Sequence, residues 1–287
     1  MSFMNKTQNQ SEEKSLKKTS IILKSKGRNQ SNKNKSNARS YGKIEKLAAA
    51  MAAIAVWQIV ASLVGSSLLI ATPVAVARRL IELSTSADFW SIIVFSIVRI
   101  VSGFLLALAA GTVLAAAAGR FHIVEILLYP YILAVKTTPV ASFIVLCLIW
   151  LSSKSLSVFI SFLIVLPIVY TNVLEGIKST DVKLLEMADL FRVGWWRRLY
   201  YIYIPNVRPY LLSACKVSIG MSWKAGIAAE LIGIPDGSIG EQLYEAKIYL
   251  STGDLFAWTV VIIIISVIIE KLFVYALNAL FKMEVES

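Results

Sequence analysis

Long apolar runs alternate along this chain with short polar segments, and the runs have the lengths a bilayer demands. Leu47–Ala71 carries no charge, and Ser155–Leu174 carries none either. Ser91–Ala118 holds only Arg99, and Leu255–Ile269 stays apolar up to Glu270 and Lys271. Ile123–Leu151 and Pro209–Ile234 contain ionisable residues but are otherwise apolar. A helix of about 20 mainly apolar residues crosses ~30 Å of hydrocarbon. In lipid the backbone must satisfy its own polar groups, which helices do. The pattern predicts an all-α, polytopic membrane protein of about six transmembrane helices.

An even number of spans leaves both termini on one side, and the Lys/Arg bias says which. Residues 1–46 hold twelve Lys/Arg against three acids, and residues 175–208 hold six more. The turn 119–122 adds one and the C-terminal end two. The opposite loops (72–90, 152–154 and 235–254) hold only Arg78, Arg79, Lys154 and Lys247. Both termini are therefore expected in the cytoplasm, in a multi-pass protein of the cytoplasmic membrane. Composition agrees, with 57% hydrophobic residues, 16% charged residues and a mean hydropathy of +0.68; soluble domains carry about a quarter charged.

Residues 1–43, rich in Lys, Asn, Ser and Gln, cannot bury a core and are expected to form a disordered basic cytoplasmic tail. Membrane lipid is a partner for that charge, at about 1 kcal/mol per nearby Lys or Arg. Nucleic acid is not, because the basic residues lack interleaved aromatics. Residues 44–287 form the transmembrane domain. Cys147 and Cys215 fall inside spans and His122 is the single histidine, so neither a disulfide framework nor a metal site is expected. No GxxxxGK[ST] phosphate loop and no nucleophile–base pair occurs. The chain is not expected to be an enzyme or to hold a cofactor.

The segment Glu186–Pro205, EMADLFRVGWWRRLYYIYIP, is charged and aromatic where its flanks are apolar. Ser179, Thr180 and Asp181 are N-cap candidates for a helix whose apolar face is Leu184, Leu185, Met187, Ala188 and Phe191. Gly194 can end it in a left-handed conformation. Trp195–Tyr203 reads as a second, interfacial helix, broken by Ile204-Pro205 and Pro209 before the fifth span. Here the sequence resembles the permease subunits of ABC importers, within them the nitrate/sulfonate/taurine group. That family shows Glu-Ala-Ala, a glycine six residues after the glutamate, an apolar residue at plus sixteen and Leu-Pro at plus eighteen and nineteen. This chain has Glu186-Met187-Ala188, Ile202, Ile204 and Pro205. It departs at Met187, at Ile204, and at Arg192, which stands at the glycine position with Gly194 two residues later; a turn shifted by two residues is expected.

The resemblance runs over about residues 73–272. It takes in Thr72-Pro73, Arg99–Gly103, Lys136–Pro139, Leu166-Pro167, Ala229–Leu231, Ser238–Gly240 and Tyr244–Ala246. It implies a permease homodimer whose cytoplasmic loop between spans 4 and 5 docks a separate ATP-binding-cassette ATPase. It also implies an extracytoplasmic solute-binding protein that delivers the cargo. Glu186 would support the coupling helix or pair with ATPase arginines; Met187, Ala188, Arg192, Gly194, Ile202, Ile204 and Pro205 would complete the docking element.

Ionisable groups within spans cost about 2.5–3.5 kcal/mol each at mid-bilayer on insertion scales and so mark functional sites. Lys136, with Thr137 and Thr138 before Pro139, would suit an anionic solute, or else pair with Glu230 or a backbone carbonyl. Lys224 and Glu230 face the pathway or serve structure. Lys216 is near enough to the cytoplasmic end to snorkel, and Arg99 reads as a packing residue. The small residues of Ala107–Ala118 allow close helix packing, and Ile239–Ile248 reads as a surface helix. An ion-gradient-driven secondary transporter, or a scaffold whose loop binds a non-ATPase partner, would use the same residues.

Overall fold

In the computed structural model, residues 43–65 and 69–286 are described, and among them every regular element is helical. The basic tail of residues 1–43 therefore lies outside the described residues, save Lys43. That residue opens α1 (Lys43–Val64), whose apolar part runs Ala48–Val64. The span predicted to reach Ala71 is cut short because Gly65 adopts a φ of 65°, a left-handed helix stop that glycine accepts without steric cost.

From residue 60 onward the chain forms one compact unit. α2 (Pro73–Ser84) starts with Pro73 at its first turn, and the Thr72 hydroxyl accepts from the Ala75 amide at 3.3 Å. α3 (Ala87–Arg120) is 34 residues long, about 50 Å at 1.5 Å per residue. α4 (His122–Thr137) and α5 (Val140–Cys147) follow, then α6 (Ser153–Lys178) and α7 (Val182–Leu190). α8 (Trp195–Arg198) leads through a π-helical turn (Leu199–Tyr203) into α9 (Ile204–Gly233). α10 (Ile239–Ile248) and α11 (Thr252–Glu286) complete the chain.

α3, α6 and α9 pack side by side as the centre of this unit. Phe104, Ala107, Ala115, Val165, Val169, Val173 and Cys215 are buried together there. Lipid offers no hydrophobic drive between helices, so close backbone approach has to supply the packing. Gly103 shows how close: a Cβ there would sit 2.2 Å from the Val158 carbonyl oxygen of α6. Ala107, Gly111, Ala115 and Ala118 continue the same buried face, the packing role the sequence suggested. A second cluster joins Phe89, Ile93, Trp223, Ile239, Leu243 and Trp258, seating α10 and α11 on α3 and α9. The Trp223 indole donates to the Ile262 carbonyl at 3.2 Å, which satisfies its one polar atom.

Six uninterrupted spans are predicted, and the structure differs in detail. α3, α6 and residues Thr252–Leu277 of α11 are long and apolar enough to cross a bilayer. The third predicted span is two helices, α4 and α5, bent by 105° at Thr138–Pro139. α9 has 30 residues, ample length, but Arg208, Lys216, Lys224 and Glu230 dilute its apolar character. Nor do Pro205 and Pro209 break the chain before it. The Ile204 amide reaches back five residues to Leu199, and this wider π turn accommodates the Pro205 ring within a continuous helical run.

Beside the second cluster, against which Leu80, Leu83 and Leu255 pack, Arg79 of α2 pairs with Glu82 at 3.1 Å and with Asp254 at the start of α11. The hydrogen bond to Asp254, then that to Glu82, raises the Arg79 pKa above its already high ordinary value, so the pair stays charged. Ser251 donates to Asp254 at 2.7 Å and completes the knot that ties α2 to α11.

Candidate functional site

α7 and α8 carry the residues that the loop motif singled out. Asp181 caps α7, its carboxylate accepting from the Lys183 amide at 2.9 Å. Ala188 is fully buried, whereas Val182 (64%), Met187 (48%), Leu190 (80%) and Phe191 (72%) stand exposed. Glu186 is exposed and makes no hydrogen bond or ion pair with the described residues. A nine-residue helix thus turns one small residue inward and presents apolar side chains and a free acid outward.

How α7 ends corrects the expectation of a turn shifted to Gly194. Arg192 takes the left-handed conformation, with φ of 49°, while Gly194 is extended and caps α8. The Val193 amide bonds the Ala188 carbonyl at 2.8 Å, and the Arg192 amide bonds that of Asp189 at 3.0 Å. This pair of bonds is the Schellman closure, with Arg192 at its left-handed position. The residue aligned with the family's glycine therefore does the glycine's conformational work.

Two side chains that sequence reasoning did not single out hold this loop. Arg198 of α8 donates to the Val193 carbonyl at 2.7 Å and the Ala188 carbonyl at 3.1 Å, and pairs with Asp189 at 2.5 Å. The guanidinium's fixed fork suits three acceptors clustered at a helix C-terminus, where a cation is also favoured. Asn206 of α9 donates to the Gly176 carbonyl at 2.8 Å and to the Ser179 and Thr180 hydroxyls, both at 3.2 Å. These bonds fix the start of the loop to its end. Ile202 lies in the π turn, and Ile204 and Pro205 open α9.

The bend between α4 and α5 gathers the next set. Proline disfavours the α conformation in the residue before it, and Thr138 has ψ of 134°. The hydroxyl of Thr137 returns to the Leu133 carbonyl at 3.0 Å and that of Thr138 to Ala134 at 2.8 Å. Lys136 is exposed, 3.4 Å from the Thr171 hydroxyl of α6. It lines a cavity of about 200 Å³ with Tyr129, Tyr170, Thr171 and Glu125. At the other end of that cavity Glu125 pairs with Lys178 at 2.5 Å. Lys224 is exposed on α9 with no partner among the described residues.

Glu230 lies elsewhere, completely buried near the end of α9. Ser96 of α3 donates to its carboxylate at 2.7 Å and accepts from the Ile239 amide of α10 at 3.1 Å. Arg99, one turn beyond Ser96, lies over the Phe95 ring at 4.7 Å and donates to the Ser153 carbonyl at 3.0 Å. A Cβ on Gly240 would come within 2.2 Å of the Glu230 carbonyl carbon, so only glycine lets α10 seat here. Glu230 therefore binds α3, α9 and α10 together, and it is not brought together with Lys136 or Lys224.

Comparison with known proteins places these features in a family. Residues 107–286 match the binding-protein-dependent transport system inner membrane component. A protein of Bacillus subtilis named as an aliphatic sulfonates transport permease, SsuC, is 27% identical, over 80% of this chain and 84% of its own length. The taurine transport system permease protein TauC of Escherichia coli is 25% identical, over 76% and 81%. The nitrate import permease protein NrtB of Synechococcus elongatus is 24% identical, over 70% and 75%. The chain belongs to the binding-protein-dependent inner membrane components, the permeases of ABC importers, and is a transport component rather than an enzyme.

Proposed function

We propose that this chain is the permease of an importer for a small anionic solute, coupled through α7 to a separate ATP-binding-cassette ATPase. Two copies form the pathway, and an extracytoplasmic binding protein delivers the solute. In this reading the chain crosses the membrane six times, with α1, the bent α4–α5 pair and α9 completing the three plainly apolar spans. Both termini and α7 then face the cytoplasm.

The observation that carries the reading is the build of α7. Five large apolar side chains, Val182, Leu184, Met187, Leu190 and the capping Phe191, are exposed on a helix that is capped at one end and clamped by Arg198 at the other. Exposed apolar residues on a rigidly held element fit a partner's cleft, and rigid holding lets motion pass from partner to span. Glu186 is exposed between them with no partner among the described residues, and in this reading it pairs with a cation of the ATPase. Glu186→Lys should abolish ATP-driven uptake in proteoliposomes while membrane abundance stays within the wild-type range. Normal uptake by that variant would remove Glu186 from coupling, and uptake driven by an ion gradient without ATP would replace the importer with a secondary transporter.

The solute class rests on Lys136 at the bend, a cation beside two threonines and the Thr171 hydroxyl. A break in a membrane helix is where backbone and side chains can meet a polar solute. Lys136→Met should lower uptake of an organosulfonate at least about tenfold, the effect of losing a charge-assisted contact of about 1.4 kcal/mol or more. Equal losses of uptake and abundance would make Lys136 structural. Lys224 is proposed to line the same pathway, whereas Glu230 acts by holding α10.

A further inference from the structure

Two strained joints bracket α10, and the helix between them is a unit closed on itself. At its N-terminus the Ser238 hydroxyl accepts from the Glu241 amide at 3.0 Å, and the Glu241 carboxylate accepts from the Gly237 amide at 2.6 Å. Such a reciprocal cap belongs to the helix and travels with it. Ile234, before α10, has φ of 47°, and Leu250, after it, has φ of 53°. Left-handed backbone is costly for L-residues, most of all for a β-branched one such as Ile234. Strain of this kind persists only where its surroundings enforce it, and it collects at parts that switch.

Beneath α10 the polar groups of three helices are incompletely matched. Glu230 of α9 is fully buried and Arg99 of α3 is 8% exposed. One carboxylate oxygen of Glu230, the Nε and Nη1 of Arg99, and the Ser157 hydroxyl of α6 are buried without a hydrogen-bond partner among the described residues. The Arg99 charge acts on Glu230, yet no direct bond joins them. A buried acceptor lacking a donor is costly, and so are buried donors lacking an acceptor. Here each would satisfy the other. Glu230 is instead held by Ser96, which accepts in turn from the Ile239 amide of α10, and Arg99 is held by the Ser153 carbonyl at the start of α6.

We propose that α10 is a lid with two positions: seated, as here, with Ser96 bridging Glu230 to the Ile239 amide, and lifted, with Glu230 paired directly to Arg99. Lifting relieves the left-handed backbone at Ile234 and Leu250 and matches the buried donors to their acceptor. It gives up the burial of Ile239 and Leu243 in the cluster that holds Trp223 and Trp258. Opposed contributions of this kind make an element bistable. Because Arg99 leaves the Ser153 carbonyl when it turns to Glu230, lifting also loosens α6 from α3. A movement at one surface thereby changes how the three central helices pack. That surface is the outer one in the orientation proposed above; the two positions do not depend on that orientation.

The test follows hydrogen exchange of the Ile239 amide in the full-length protein in lipid nanodiscs, by mass spectrometry of the peptide that contains it. That amide loses its bond to Ser96 when the lid lifts, so its exchange rate reports the lifted population. Arg99→Gln removes the partner that holds the lifted position and should slow exchange about tenfold, the size of one charge-assisted hydrogen bond. Arg99→Lys retains the charge and should exchange at close to the wild-type rate. Adding Glu230→Gln to Arg99→Gln should slow exchange no further. If Arg99 serves only to hold α6, its loss loosens the packing and Ile239 exchanges faster; that result, or no change, overturns the proposal. Leu250→Asn alters a side chain that is 66% exposed and installs a residue that accepts left-handed backbone. It relieves the seated position without touching either charge and should slow exchange about threefold. Should Arg99→Gln fail to accumulate, Leu250→Asn decides alone, and exchange as fast as in the wild type removes the strained joint and the lid with it. None of these measurements uses ATP or transport, so they fail or succeed apart from the coupling proposal.

Discussion

Arg192 holds a conformation that costs L-residues roughly 1–2 kcal/mol and that glycine adopts freely. Its φ of 49° closes α7, and its side chain has no hydrogen bond or ion pair among the described residues to offset the cost. Arg192→Gly should therefore raise the local opening free energy of α7 by about 0.5–1 kcal/mol, read as slower amide exchange of Val193. Unchanged exchange would mean that the strain is relieved elsewhere. Residues whose work is local were readable from the chain: Asp181, an N-cap candidate by its position, caps the helix it precedes. Gly194 misled because a glycine near a helix end invites a left-handed reading, yet the two bonds that close α7 select Arg192. Arg198 and Asn206 were not readable in their roles. Their acceptors lie up to 10 and 30 residues away, and nothing in the local pattern signals so distant a carbonyl.

Helix boundaries show the same division between local and non-local causes. Pro139 and Pro205 obey one steric rule and meet opposite fates. Thr138 escapes to an extended conformation and the helix turns by 105°, while Ile204 stays helical because the π turn widens the path. Only packing against neighbours decides between these outcomes, so the sequence could place the prolines and not the bends. The seat of α10 is another element-scale property. Ser96 bridges the Glu230 carboxylate and the first amide of α10, and Gly240 lies against the α9 backbone. Backbone cannot rotate out of the way as a side chain can. Gly240→Ala should destabilise the protein by about 1–3 kcal/mol, the usual cost of overpacking, seen as a lower unfolding midpoint in detergent. It should also release α10 to protease before the rest of the chain unfolds. An unaltered midpoint would show that α10 shifts without cost and that Glu230 does not depend on its seat.

At the scale of the whole molecule, the apolar runs announced an all-helical membrane protein, and the long helices stand where those runs are. Which helix is innermost was hidden, because a run such as α9, crossed by Lys216 and Lys224, looks weak by composition yet packs at the centre between α6 and α10. The proposed coupling depends on orientation, since α7 can meet an ATPase only from the cytoplasm. Met187 of α7 is 48% exposed, and Tyr249, just past α10, is 78% exposed. Both native cysteines are buried, so thiol labelling of introduced ones starts from a low background. In intact cells an impermeant maleimide should modify Tyr249→Cys and spare Met187→Cys, and permeabilised cells should yield both. Adding the ATPase should then protect Met187→Cys while leaving Tyr249→Cys reactive, because a helix filling a partner's cleft loses its solvent and a surface helix across the bilayer keeps it. The reverse pattern of accessibility would turn α7 outward and leave its exposed apolar face with no nucleotide-driven partner to meet.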